Sequence, residues 1–192
     1  MINKFVYKII ASKWDSTKKI YAKYKNIKDR LKLLDKYVGV FKDSTVVEIG
    51  SNAGIAAFSI MSVAKSYIGI EPEPHYVEQA DIAKEFILKK KNVVFYNGKI
   101  MNLPETDYNA LYASYSLYHL NDTEVEYLVS TVFPKCDVVI VINRANQRKF
   151  DKNKYQLWYY KNTIDLLQLC GFKTSLEWGN KKKSFYIVVG KK

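Results

Sequence analysis

Thr45-Val46-Val47-Glu48-Ile49-Gly50-Ser51-Asn52-Ala53-Gly54 is the stretch that decides how this chain is read. Its first half is a short β-branched run, the pattern of a strand buried on both faces. Its second half sets two residues without side chains, Gly50 and Gly54, around Ser51, Asn52 and Ala53. Glycine suits a place where the backbone turns sharply and a ligand comes close. Asn52 fits the same turn, because asparagine tolerates left-handed backbone. A helical segment follows, so the unit reads strand, turn, helix.

Outward from this unit, short apolar runs alternate with helical segments, the signature of a parallel sheet covered by helices. The pattern predicts strands at Thr45 to Ile49, Ser66 to Ile70, Asn92 to Tyr96, Ala110 to Ser114 and Asp137 to Asn143. Helices are expected from Gly54 to Ala64, His75 to Leu88 and Asp122 to Thr131. After the fifth strand a helix near Thr163 to Leu169 leads to strands at Phe172 to Glu177 and Ser184 to Val189, with a Gly-Asn-Lys turn between them. The expected fold is α/β: a doubly wound, mostly parallel seven-stranded sheet with helices on both faces and an antiparallel last strand. No internal repeat is detectable.

Ahead of the sheet, Ile20, Tyr24, Ile27, Leu31, Leu34, Val38 and Phe41 recur at spacings of three and four, one stripe of a helix. Lys18, Lys25, Arg30, Lys32 and Lys36 occupy the opposite face, which reads as solvated. The stripe is too short for a coiled coil and reads as a helix docked on the core. A further short helix is expected before Trp14. The chain therefore divides into a basic helical extension, residues 1–43, and an α/β domain, residues 44–192.

Composition narrows the function classes. The apolar runs are strand-sized, below the roughly 18 residues a bilayer span needs, so no stable membrane insertion is expected. Lys4 and Lys8 interrupt the N-terminal apolar pattern, unlike a secretory leader, and a soluble, cytoplasmic protein is expected. Cys136 and Cys170 show no CxxC spacing and read as buried, reduced thiols; no metal site is drawn. The net charge of +12 is segregated: residues 1–43 carry 12 basic and 4 acidic side chains, residues 44–142 carry 7 and 12, and residues 143–192 carry 12 and 3. Basic ends around an acidic middle can steer an anionic partner to one surface. Compositional drift competes with that reading, because only Arg30, Arg144 and Arg148 are arginines, and arginine is the preferred bidentate phosphate ligand.

In an open parallel sheet ligands bind beyond the carboxyl ends of the strands, where strand order reverses, and the first strand sits at that switch. Glu48 precedes the turn there, and Glu71 ends the next strand in Ile68-Gly69-Ile70-Glu71. A carboxylate in that position accepts hydrogen bonds from the hydroxyls of a ribose. A nicotinamide dinucleotide fingerprint would need glycines at positions 50, 52 and 55, where the chain has Gly50, Asn52 and Ile55.

From about Thr45 onward the chain resembles the class I S-adenosylmethionine-dependent methyltransferases. Their glycine-rich first motif is similar to Glu48 to Gly54, with Asn52 in place of the middle glycine, and their second to Gly69-Ile70-Glu71-Pro72. The pattern Gly-Asp-Ala-x-x-Leu-Pro is echoed by Gly98-Lys99-Ile100-Met101-Asn102-Leu103-Pro104, with Lys99 replacing the acidic residue that usually binds the adenine amino group. Leu111 to Leu120, with Ser114, Tyr115 and His119, resembles the fourth-strand motif, and Gly171-Phe172 also looks like the family. The resemblance implies S-adenosylmethionine as cofactor, held by Glu48, Gly50, Ser51, Asn52, Gly54, Glu71, Pro72, Gly98, Lys99, Ile100, Ser114 and Tyr115. Backbone groups of Gly98 to Ile100 would then serve the adenine, because Lys99 cannot accept a hydrogen bond.

Methyl transfer from a sulfonium needs alignment more than a catalytic side chain. Where the acceptor loses a proton, His119 and Tyr115 are the candidate catalytic groups, with packing at a helix start as the competing role for His119. His75 is assigned no chemistry. The aromatics Tyr155, Trp158, Tyr159 and Tyr160 suit either the core or an acceptor pocket. The acceptor reads as a small molecule or RNA, anionic in either case if the basic ends bind it. The absence of an Asp/Asn-Pro-Pro-Tyr/Phe motif and of a separate RNA-binding module favours the small molecule. The alternative function is a catalytically silent, methyltransferase-like binding or scaffold protein.

Overall fold

In the computed structural model the described residues are 30–85, 92–144, 160–179 and 185–192. Helix α1 covers residues 30–37 and gives way to a 3₁₀ turn, Val38–Phe41. Next come β1 (Thr45–Ile49), α2 (Ile55–Ile60), β2 (Ser66–Glu71), α3 (Pro74–Ala83), β3 (Val93–Asn97) and β4 (Ala110–Ser114). The chain continues through α4 (Asp122–Tyr127), β5 (Val138–Arg144), α5 (Tyr160–Leu169), β6 (Lys173–Trp178) and β7 (Phe185–Lys191).

The strands form one sheet in the order β3-β2-β1-β4-β5-β7-β6. Pairings from β3 across to β5 are parallel, and β7 runs antiparallel to both β5 and β6. The order reverses between β1 and β4, so the loops after these strands flank the crevice where ligands of open sheets bind. The seven strands and the antiparallel last strand agree with the sequence pattern.

Strand periodicity divides the core. Val46, Tyr67, Phe95, Tyr112, Ile140 and Ile187 face one side, where Leu34 of α1, Ala57 and Ile60 of α2 and Ala80 of α3 cover them. Val47, Ile49, Leu111, Val139, Val141 and Val188 face the other, against Leu128, Val132, Phe133 and Leu167. Successive side chains of each central strand thus meet two different helical layers, which explains why these runs are continuously apolar.

Element ends depart from the sequence expectation. The helix expected over Gly54 to Ala64 stops at Ile60, and the Ser62 hydroxyl donates to Ser59 O at 2.6 Å, a local bond that competes with helix continuation. The expected second helix begins one residue earlier, because Pro74 at its first turn has no N–H to leave unpaired. The third passes into a wider π turn, Leu128–Val132, ahead of Phe133–Lys135. Strands β3, β5 and β6 each start one residue later than expected. Of the long N-terminal helix only residues 30–41 are described, and the α-helix ends at residue 37 rather than running through to Phe41. Leu33, outside the expected stripe, is buried beside Leu34. Cys136 is buried as expected, whereas Cys170 is only half-buried.

Lys32 and Lys36 of the expected polar face are exposed, whereas Arg30 is half-buried. Arg30 at the start of α1 donates to Ser114 Oγ of β4 at 3.0 Å. At its end, Lys36 Nζ lies 2.7 and 2.6 Å from the two carboxylate oxygens of Glu177 on β6, and the Tyr37 hydroxyl donates to the same carboxylate. The helix therefore bridges from β4 to β6, on the layer opposite α4.

Ile140 is fully buried in β5, whereas Leu169 is 86% exposed. Ile140→Ala should cost about 2–5 kcal/mol in chemical denaturation with an unchanged m-value, and Leu169→Ala less than about 0.5 kcal/mol. Equal effects would contradict this division of the core.

Candidate active site

The turn after β1 is built on left-handed backbone. Gly50, Asn52 and Gly54 have φ of 70°, 50° and 68°. The amides of Gly50 and Ser51 both donate to Ile70 O, at 2.9 and 3.1 Å, which holds the turn against the end of β2. A Cβ at Gly50 would lie 2.6 Å from Ser116 Cβ, so the loop after β4 closes directly on this glycine. At Gly54 a Cβ would meet the Phe95 ring at 2.5 Å. Gly54 thus serves packing beneath the turn and is not among the residues that line the cavity above it.

Glu71, the last residue of β2, is 6% exposed and is oriented by two backbone amides. Asn52 N donates to its Oε2 at 2.9 Å and Glu73 N to its Oε1 at 3.1 Å. A carboxylate has about four acceptor positions, so each oxygen keeps capacity for another donor.

A cavity of about 780 Å³ opens above these groups. It brings together Glu48, Gly50, Ser51, Asn52, Glu71, Pro72, Gly98, Lys99, Ile100, Ser114, Tyr115 and His119, every expected site residue except Gly54. The hydroxyls of Ser51 and Ser116, both buried on its wall, have no hydrogen-bond partner among the described residues. Unpaired buried polar atoms beside a glycine cradle are the features expected where a polar ligand completes the site.

On the α1 side Glu48 is 4% exposed and accepts a hydrogen bond from the buried Tyr67 hydroxyl. Burial pushes its carboxyl up to about 8, opposed by the Tyr67 bond and the Arg30 charge and reinforced by Glu71. The Arg30 guanidinium lies 4.3 Å from the Tyr115 ring centre. Tyr115 itself has φ of 58° and donates its amide to Ile142 O at 2.9 Å, which turns the chain out of β4 over the cavity. His119 is exposed on the 3₁₀ turn Leu117–His119, with its ring 4.1 Å from that of Tyr118. Partial burial lowers its pKa from 6.5, with Glu71 acting the other way, so the imidazole is neutral at physiological pH.

Lys99 follows Gly98, whose amide donates to Glu71 O at 3.0 Å, so this wall adjoins the Glu71 carboxylate. The Lys99 ammonium lies 3.9 Å from Glu124 Oε1 of α4. Arg30, Tyr112, Ser116 and Glu124 line the cavity but escaped the sequence reading. Arg30 and Glu124 arrive from helices far along the chain, and no local motif announces such side chains. Ser116 had a signal, a small polar residue two positions past β4. His75 lies outside the lining. Tyr155, Trp158 and Tyr159 fall outside the described residues.

No protein-family model matches the sequence, and no curated protein matches it. Solved structures do match the fold. Magnesium protoporphyrin IX methyltransferase (ChlM) from Synechocystis PCC 6803, with bound SAM, superposes with a TM-score of 0.72 over 98% of this chain and 90% of its own, at 13% identity. The methyltransferase domain of a bacterial Hen1 gives 0.65 over 85% and 98%, at 14% identity. This chain has the class I methyltransferase fold. DhpI in complex with SAH matches it likewise, with a TM-score of 0.68 over 96% of this chain and 92% of that one, at 16% identity. At 13 to 16% identity the fold is what is shared, and the side chains of the site must be judged individually.

The raised Glu48 carboxyl has a consequence for stability. Between about 4.5, its ordinary value, and about 8 the folded chain keeps a proton that the unfolded chain has lost. Stability should therefore fall as pH rises across that window, by at most about 1.4 kcal/mol per unit, and level off above it. Urea midpoints across the window should show this slope in the wild type and a flatter one in Glu48→Gln. An unchanged slope in the variant would refute the assignment.

Proposed function

We propose that this protein is an S-adenosylmethionine-dependent methyltransferase whose donor binds in the cavity above β1 and β4. The observation that carries the reading is Glu71, whose two oxygens are each oriented by a backbone amide beside the left-handed turn at Gly50 to Gly54. Such a carboxylate is suited to two ribose hydroxyls. On the α1 side Glu48, whose carboxyl keeps its proton until a cation arrives beside it, suits the ammonium of an amino-acid moiety, and Arg30 suits its carboxylate. Gly50, Ser51, Asn52 and Pro72 shape the floor, and Gly98, Lys99 and Ile100 form the wall toward the base. Ser114 and Tyr115 stand at the end of β4. The extension of residues 1–43 thus contributes Arg30 to the domain of residues 44–192.

When bound, the donor supplies a sulfonium methyl carbon open to in-line displacement, with a neutral thioether as leaving group. The chain's part is to align an acceptor and exclude water, an effect worth roughly 7–11 kcal/mol when geometry is good. His119, neutral and on the rim beyond Tyr115, takes the acceptor's proton on Nδ1 or Nε2. Tyr115, fixed in its turn and covered by the Arg30 guanidinium, orients the acceptor edge. The acceptor is a small molecule, a reading supported by a cavity of about 780 Å³ lined from both α1 and the segment after β4.

Calorimetry with S-adenosylhomocysteine checks the donor site. Glu71→Ala should weaken binding about 10- to 100-fold, since hydrogen bonds to a charged group are worth roughly 1.5–3 kcal/mol. No binding to the wild type at millimolar ligand would overturn the proposal. For chemistry, radiolabelled methyl transfer to fractionated extract should label the small-molecule pool, and label in RNA that disappears steeply with salt would instead favour the nucleic-acid acceptor. With the labelled fraction as substrate, His119→Gln should lower turnover about 10²- to 10⁴-fold and leave S-adenosylhomocysteine affinity unchanged. The wild-type rate should already be on its plateau at neutral pH, because the base titrates below 6.5.

A further inference from the structure

Glu124 is a carboxylate without an assigned task. It sits in the first turn of α4, is 5% exposed, and lines the cavity on the side of Gly98, Lys99 and Ile100. Its Oε2 accepts the Asn121 amide at 2.9 Å, while Asn121 Oδ1 accepts the Glu124 amide at 3.0 Å, a reciprocal cap that fixes the rotamer. Among the described residues its Oε1 meets the Lys99 ammonium alone, at 3.9 Å, beyond hydrogen-bond reach. Lys99 is 65% exposed, so its charge is solvated and screens the carboxylate from outside without occupying the inner lone pairs.

The neighbourhood says what would bind there. The 3₁₀ turn Ile100–Asn102 packs against α4, and the Gly98 amide bonds to Glu71 O at 3.0 Å, so the Glu124 wall continues the ribose side of the cavity. A carboxylate is acceptor-only, and its complement is an N–H donor rather than a carbonyl. Lys99 is donor-only and cannot fill that part. Of the carboxylates that line the cavity, Glu48, Glu71, Glu73 and Glu124, it is Glu124 that stands beside Lys99.

We propose that Glu124 recognises the exocyclic amine of the donor's base and that this carboxylate, reached from α4, sets the preference for adenine. The inference rests on the S-adenosylmethionine reading above and adds to it a specificity residue and its covering cation. The buried acceptor is left unpaired, or faces another acceptor, when the base carries a 6-oxo group, and such mismatches are strongly discriminated.

The test compares S-adenosylhomocysteine with S-inosylhomocysteine, which has the 6-oxo group in place of the amine, by calorimetry on the full chain. The wild type should bind the adenosyl compound at least about tenfold more tightly. Glu124→Gln keeps the helix cap, because the glutamine oxygen accepts the Asn121 amide, and its NH2 then stands where Oε1 stood, a donor in place of an acceptor. That variant should abolish the preference for the adenosyl compound or reverse it. A wild-type ratio near one overturns the inference with no variant needed. An unchanged ratio in Glu124→Gln overturns it while leaving the donor reading intact. Failure of the wild type to bind S-adenosylhomocysteine overturns both.

Discussion

The hydrogen bond from the Asn52 amide to the Glu71 carboxylate is the contact on which the site depends. It joins the turn after β1 to the end of β2, so two strands with different connections present their functional groups in one fixed relation. The bond requires the left-handed backbone of Gly50 and Asn52, and that backbone requires the close seat against Ser116. With both Glu71 oxygens held by amides, the carboxylate is pre-oriented and loses little freedom when a ligand arrives. Rigid placement of this kind is what strand ends in a parallel sheet offer and long loops do not.

A second polar centre lies beneath the α1 side of the same crevice. Glu48, Tyr67, Tyr112 and Arg30 bring a carboxyl, two buried phenols and a guanidinium into one low-dielectric pocket. Burying a charge is costly unless it is paired, and the rise of Glu48 to about 8 is the measure of that cost. Arg30 offsets part of it and belongs to a helix whose other end is tied to Glu177 by Lys36 and Tyr37. The surface ion pair itself contributes little energy. Its value is geometric, because it helps to fix the direction in which α1 carries Arg30 to the cavity. On the opposite flank Glu124 and Lys99 form a looser pair, so the cavity has a cation and a carboxylate on each side.

Local and global signals had different reach in this chain. The runs Thr45 to Ile49 and Ala110 to Ser114 were legible to the residue, because continuous burial on both faces leaves mostly apolar residues acceptable there. Helix ends were legible only approximately: Ile60 and the π turn after Tyr127 end or alter helices through hydroxyl bonds and packing, which composition does not report. Gly54 looked like a ligand-contacting glycine and is instead a packing glycine under Phe95, since a turn glycine and a cradle glycine have the same signature in one dimension. On the polar face drawn for the N-terminal helix Lys32 and Lys36 are exposed, while Arg30 lines the cavity. Periodicity separates apolar from polar positions but cannot tell a solvated lysine from an Arg30 that points at a cavity.

By itself the sequence determined the alternation of strand and helix, the turn at Gly50 and the acidic ends of the first two strands, because each follows from residues adjacent along the chain. Only the tertiary structure decided that Arg30 meets Ser114 and Tyr115, that Ser116 closes on Gly50, and that Glu124 stands beside Lys99. Arg30 and Ser114, for example, are 84 positions apart. Their geometry is set by how helices dock on the two faces of the sheet, and helix docking is a property of packed surfaces that no local pattern encodes.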